Sequence, residues 1–187
     1  MQQDTYITLQ DDRIVLRPMQ SGDADLFWPL TQVAGMWTWF TADLSIRDVL
    51  DRWVQDAMSA QQAGTRIPFT VVDATTGQVL GSTSFGNIST RDQRVEIGWT
   101  WLGKPAQGKG VNDRMKILML DHAFNTWNMQ RVEWKTDVLN PHSRNALLRI
   151  GAVEEGILRS HMLMTHGRRR DTIYYGMLRD EYLKRKA

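Results

Sequence analysis

The chain predicts an α/β fold around a mixed sheet, and three observations carry that reading. Segments whose apolar residues alternate with period two, as strands do, are interleaved with segments spaced for one helix face. Thr76-Gly77 and His166-Gly167 each sit between two such strand segments, where a hairpin turn belongs. The stretch Gln107 to Asn112 passes straight from a strand into an amphipathic helix.

Taken in order, Arg13 to Arg17 reads as a short strand, and Ser21 or Asp23 is placed to cap a first helix reaching about Thr31. Ser45-x-x-Asp48 has the form of a capping box. The helix after it carries Ile46, Val49, Leu50, Trp53, Val54 and Ala57 at helical spacing and stops near Gly64. Phe69 to Val72 and Val79 to Phe85 form a hairpin. In Arg94 to Trp101, period two puts Val95, Ile97, Trp99 and Trp101 on one face and Glu96 on the other. The next helix runs from Val111 to about Asn125, with Val111, Met115, Leu118 and His122 as its stripe and Ile117, Leu120 and Phe124 widening it. A strand from Arg131 to Val138, a helix from Asn140 to Gly151, and strands near Gly156 to Met164 and Asp171 to Leu178 complete the list. With no repeat, low-complexity tract or linker, residues 1–187 read as one domain.

Composition excludes several classes of function. Lysine and arginine number 23 against 21 acidic residues, a formal charge of +2, which argues for neither nucleic acid nor an anionic membrane as partner. The absence of cysteine removes disulfides, cysteine-ligated metal and a thiol nucleophile. No signal peptide and no apolar run near ~18 residues is present, so the expected location is cytoplasmic. The histidines, His122, His142, His161 and His166, lack metal-ligand spacing, and no metal is expected.

The most informative stretch is Gln107-Gly108-Lys109-Gly110-Val111-Asn112. A helix start leaves four amides without partners, and glycines let the backbone approach a pyrophosphate closely. Gly103 to Lys109 also fits the opening of a P-loop, but Gly110 stands where a magnesium-binding hydroxyl is required, so that reading fails. The spacing of Gln107, Gly110 and Asn112 resembles the Gln/Arg-x-x-Gly-x-Gly/Ala motif of the GNAT N-acetyltransferase superfamily, with Asn112 departing from the usual small residue. One strand later, Asn140 to Ala152 resembles that superfamily's Asn-x-x-Ser-x-x-x-Leu-x-x-x-Gly-Ala segment. Glu155 to Arg159 and Arg170-Asp171-Thr172 are similar to its RimJ/RimL branch.

The resemblance implies a GNAT fold, with a mostly antiparallel, twisted sheet whose central parallel strands splay apart. It also implies acetyl-coenzyme A as acyl donor. In such proteins the loop, here Gln107, Gly108, Lys109, Gly110, Val111 and Asn112, holds the pyrophosphate, and the splayed strand edge, here Trp99, Thr100, Trp101 and Leu102, receives the pantetheine amides. Asn140 and Asn145 would bind the pantetheine arm. Lys109, Arg114, Arg144 and Arg149, close to two helix starts, are further candidates for the phosphates.

The chemistry needs a proton taken from an amine and one returned to a thiolate. At pH 7 a lysine amine is neutral about once in 2,500, a cost of roughly 4.6 kcal/mol, whereas an α-amine costs about 1.2 kcal/mol. Glu96 is the candidate general base; the alternative is a surface glutamate paired with Arg94 or Arg131. Ser143 is the candidate acid, and a helix cap is its other reading. Trp37, Trp39 and Phe40, in the loop between the first two helices, line the acceptor pocket or else form a core plug or homodimer contact. Met115, Met119 and Met129 are core filler, and Arg168-Arg169-Arg170 and Lys184-Arg185-Lys186 are solvated charge. The expected activity is acetyl transfer to a primary amine, either a protein N-terminus or a small molecule. A non-catalytic acyl-coenzyme A sensor is the competing class.

Overall fold

Eight strands form one sheet in the computed structural model, which describes residues 4–186. They are β1 (Leu9–Gln10), β2 (Ile14–Pro18), β3 (Arg66–Asp73), β4 (Val79–Ser89), β5 (Arg94–Leu102), β6 (Arg131–Asp137), β7 (Val153–Leu163) and β8 (Arg169–Leu178), in the spatial order β1-β2-β3-β4-β5-β6-β8-β7. All neighbours are antiparallel except β5 and β6. The helices are α1 (Asp23–Thr31), α2 (Arg47–Gln62), α3 (Val111–Asp121), α4 (Pro141–Arg149) and α5 (Arg179–Lys186). Of the last, the sequence reading covers only Lys184-Arg185-Lys186, which are exposed as expected of solvated charge, whereas Tyr182 packs into the main core.

Two cores lie on opposite faces of the sheet. Under α3, α4 and α5, Phe85, Val95, Ile97, Met115, Met119, Val132, Ile173 and Tyr175 form the larger one. Under α1 and α2, Phe27, Leu50, Trp53, Trp37 and Trp101 form the smaller. Met115, Met119 and Met129 fill the larger core as expected.

Strict alternation along β5 does not hold. Ser84 faces Gly98, but Ser82 faces Trp101, so two residues of β4 span three of β5. The extra residue is a bulge, and Trp99 within it takes a left-handed φ of +52°. Beyond the bulge the faces exchange: Val95, Ile97 and Leu102 enter the larger core, whereas Trp101 and Trp99 pack on the smaller one. The Trp99 ring needs room that only glycine leaves, because a Cβ on Gly86 would lie 2.4 Å from it.

Helix starts also depart from the capping expectations. Gly22 precedes α1 without a side-chain cap, and Asp23 is instead buried. Its carboxylate accepts from Arg17 at 2.6 and 2.9 Å, from the Gln20 amide at 2.8 Å and from the Thr70 hydroxyl at 2.5 Å. Ser45 forms no capping box: its hydroxyl donates to Asp43 at 2.6 Å, and Ile46 stands at the N-cap of α2. α3 ends at Asp121 and continues as a wider π turn, His122–Thr126. Its buried residues include Lys116 and Met119, while Ile117, expected inside, is exposed.

Asp23 joins β2, β3 and α1 through four hydrogen bonds, and its loss would leave Arg17 without its partner. Asp23→Ala is expected to cost about 3 kcal/mol of folding stability, measured by denaturant unfolding at neutral pH. A loss no larger than that of an exposed aspartate would contradict the pinning role.

Candidate active site

β5 and β6 are paired only at Arg94–Arg131, Val95–Val132 and Glu96–Glu133. From Ile97 to Leu102 the β6-facing edge of β5 has no strand partner among the described residues, so the two strands part into a cleft, the splay that the resemblance implied. This edge contains Trp99, Thr100, Trp101 and Leu102. Unpaired backbone groups at such an edge are available to a ligand's amides.

At the Leu102 end, the chain turns through Lys104–Ala106 and enters α3. Gly108 and Gly110 adopt φ of +72° and +78°, a region that glycine enters without strain, and a Cβ at either would meet nothing within 4 Å. Gly110 is the N-cap and supplies no side-chain cap. The first-turn amides of α3, from Val111 onward, are therefore left for an anion, with the helix dipole favouring it. Gln107 braces the loop by donating from Nε2 to the Leu102 carbonyl at 2.8 Å. Asn112, whose side chain could have capped α3, instead accepts from Lys116 Nζ at 2.7 Å. Burial pushes the Lys116 ammonium down to about 8.

Of the four cations considered for phosphate, three are engaged within the protein. Arg114 pairs with Asp11 and Asp12, Arg149 with Asp113, and Arg144 with the Tyr175 hydroxyl, the Val138 carbonyl and Glu154. Lys109 is exposed and has no ion-pair partner among the described residues. Asn140 is the cap of α4, its Oδ1 accepting from the Ser143 amide at 3.1 Å. The N-cap of α4 is thus Asn140, and the Ser143 hydroxyl makes no hydrogen bond among the described residues. Asn145 is exposed on the same helix.

At the other end of the cleft Glu96 is buried, 3% exposed. Neither Arg94 nor Arg131 is its partner, since those bond Glu133 and Glu155. Glu96 Oε2 instead accepts from Lys135 Nζ at 2.9 Å and from Asn87 Nδ2 at 2.5 Å. Oε1 takes no protein donor among the described residues and lies 3.0 Å from where a Cβ on Gly98 would stand. Glycine at that position keeps the approach to Oε1 open. No motif in the sequence singles out Lys135, although its alternation with Glu133 and Asp137 along one strand marks the polar face.

The loop between α1 and α2 covers this face. Trp37 is buried, donates from Nε1 to the Thr31 carbonyl at 2.9 Å and packs edge-on against Trp101 at 5.6 Å. It belongs to the smaller core and also lines a pocket with Gln32, Val33, Thr38, Asp43 and His166. Trp39 and Phe40 remain half-buried. Arg168 lies over the Trp39 ring at 5.8 Å and also bonds buried Asp137. Nor is its neighbour Arg170 solvated, being 6% exposed; only Arg169 of the three is an exposed residue. His122 is wedged against Phe85 and Trp127, and burial lowers its basicity.

Residues 13–153 match the family model described as acetyltransferase (GNAT) domain. The chain is 29% identical to N-acetyltransferase p20 of Bacillus licheniformis over 180 residues, covering 94% of this chain and 98% of that protein. A ribosomal-protein-serine acetyltransferase of Escherichia coli is 30% identical over 82 residues, 44% of this chain and 45% of that one. Among solved structures, a GCN5-related N-acetyltransferase from Brucella melitensis superposes with a TM-score of 0.88 at 23% identity, over 98% of this chain and 83% of that chain. Mycobacterium smegmatis RimJ in complex with CoA-disulfide gives 0.80 at 21% identity, over 94% and 89%. No helix among the described residues is long and apolar enough to cross a membrane.

Lys116, behind the loop, provides a test by pH. Its folded value of about 8 lies below its ordinary 10.5, so the unfolded chain holds more proton between those two and stability rises with pH across that window. Below pH 8 the burial penalty is present in full. Lys116→Met is expected to raise stability at pH 7 by about 1–3 kcal/mol and to flatten the rise between pH 8 and 10.5, as read from melting curves of both proteins.

Proposed function

This chain belongs to the acetyltransferase (GNAT) domain family, and we propose that its cleft passes an acetyl group to the α-amine of a protein N-terminus with Glu96 as general base. It is an acyl-coenzyme A-dependent N-acetyltransferase of the RimJ/RimL-like branch. The observation that carries the reading is the end of β5–β6 pairing at Glu96, which leaves a buried carboxylate and a free strand edge on one cleft.

The residues present suit the donor. Amides at the start of α3 and the open, left-handed Gly108 and Gly110 form a cradle for a pyrophosphate, and Lys109 adds a free cation beside it. The edge from Trp99 to Leu102 offers backbone groups to the pantetheine arm. Bound there, acetyl-coenzyme A supplies the acyl group as a thioester. Asn140 shapes the start of α4 by capping it, and Asn145 stands one turn further along.

Glu96 Oε1 is the acceptor for the amine's proton, taken directly or through one water. Lys135 and Asn87 hold Oε2 and so fix the direction in which Oε1 points. Ser143, its hydroxyl not used for capping, returns a proton to the departing thiolate. An α-amine suits this site better than a lysine, because Lys135 and Arg66 near the base disfavour a cation and the α-amine loses its proton more cheaply. The E. coli relative, by its name, acetylates a serine of a ribosomal protein, which supports a protein acceptor.

Glu96→Gln is expected to keep coenzyme A affinity while kcat falls about 10²- to 10⁴-fold, with partial recovery as pH rises past the amine's pKa. A pH–rate profile parallel to the parent's would remove Glu96 from the base role. Gly110→Val should weaken coenzyme A at least ~10-fold in calorimetric titration, with circular dichroism unchanged. Unchanged affinity in a folded variant would remove the pyrophosphate assignment.

A further inference from the structure

Lys135, Arg168, Arg66 and Arg170 lie on the face of the sheet that carries Glu96, and among the described residues only the first two of these bond an acid. Lys135 has Glu96, and Arg168 has Asp137. Arg66 is stacked between the Trp53 and Trp99 rings at 5.1 and 4.6 Å, bonds Ser84 Oγ at 2.8 Å and is drawn to Asp56. Arg170 bonds no acid among the described residues. It is 6% exposed, and its Nε and Nη2 are sealed from solvent without a hydrogen-bond partner. Two residues along β8, and so on the same face, the Thr172 hydroxyl is likewise buried and unpartnered.

The nearest acids are committed elsewhere. Asp137 already accepts from Arg168 and from the Leu139 amide at 2.9 Å, and Glu96 from Lys135 and Asn87. An unpaired guanidinium held out of water is costly, and the fork it presents matches a carboxylate. Burial lowers Arg170's basicity, while Asp137 and Glu96 act on it electrostatically in the opposite sense, so it lies within the field of the base. The pyrophosphate cradle is at the Leu102 end of β5, away from Glu96, so coenzyme A phosphate is not the missing anion.

We propose that Arg170 and Thr172 form a subsite for a carboxylate carried by the amine acceptor, so that this enzyme selects acceptors with an anionic group near the reacting amine. The proposal rests on the acetyltransferase reading above and deepens it. Two sources share this chemistry: an acidic side chain close to a protein N-terminus, and the α-carboxylate of a free amino acid.

The experiment compares Ser-Glu-Ala-amide with Ser-Gln-Ala-amide, and serine with serinamide, in both turnover and calorimetric binding with coenzyme A present. Within one pair the carboxylate form is expected to be favoured about 10- to 100-fold, and in Arg170→Met that ratio should fall to about one. A preference in the peptide pair assigns the side chain; one in the amino-acid pair assigns the α-carboxylate. Coenzyme A affinity reports that the variant is folded, and its melting temperature should hold or rise because an unpaired buried cation has been removed. No preference in either pair, or a preference that survives Arg170→Met, overturns the subsite. Turnover without preference sinks the subsite and leaves the acetyltransferase reading standing, whereas preferential binding without turnover does the reverse.

Discussion

Everything specific about this protein depends on how far β5 and β6 stay paired. Three residue pairs hold the two strands together, and after Glu96–Glu133 they part. A continuous ladder would satisfy the backbone but leave no opening in the sheet. Where it stops, the edge of β5 must find other partners, because buried amides and carbonyls are costly when left alone. The same divergence places Glu96 at the floor of the opening and the loop into α3 at its far end.

The bulge at Trp99 is the second half of that device. One extra residue reverses the side-chain alternation of β5, which moves Trp101 from the α3 side to the α1–α2 side. There it meets Phe27 at 5.1 Å and Trp37 at 5.6 Å, tying α1 and the loop after it to the strand that carries Glu96. Gly86 and Gly98 supply the space: one admits the Trp99 ring, the other leaves Glu96 Oε1 approachable. Aromatic packing and access to the carboxylate are thus set by the same few residues.

Charge on this face follows from burial more than from sequence proximity. Arg168, Arg169 and Arg170 are consecutive, yet one pairs with a buried aspartate, one bonds Ser160 at the surface, and one lies inside without a partner. Period two along β8 separates neighbours to opposite faces, and the turn at Gly167 lets Arg168 reach back over the loop between α1 and α2. A run of like charge is therefore three environments.

The sequence alone determined the order of elements, the glycine loop at the α3 start, the α4 start at Asn140, and Glu96 as the carboxylate of the central strand. Each of these is local: periodicity, a turn residue or a helix start is written in adjacent residues. The tertiary structure decided what depends on distant partners. Lys135 and Asn87 as the neighbours of Glu96, Asn140 and not Ser143 as the cap, and the burial of Trp37, Lys116 and Arg170 could not be read from spacing. The physical reason is that hydrogen bonds, ion pairs and burial are settled between strands and helices brought together from far apart in the chain, and a single bulge can turn a whole strand over.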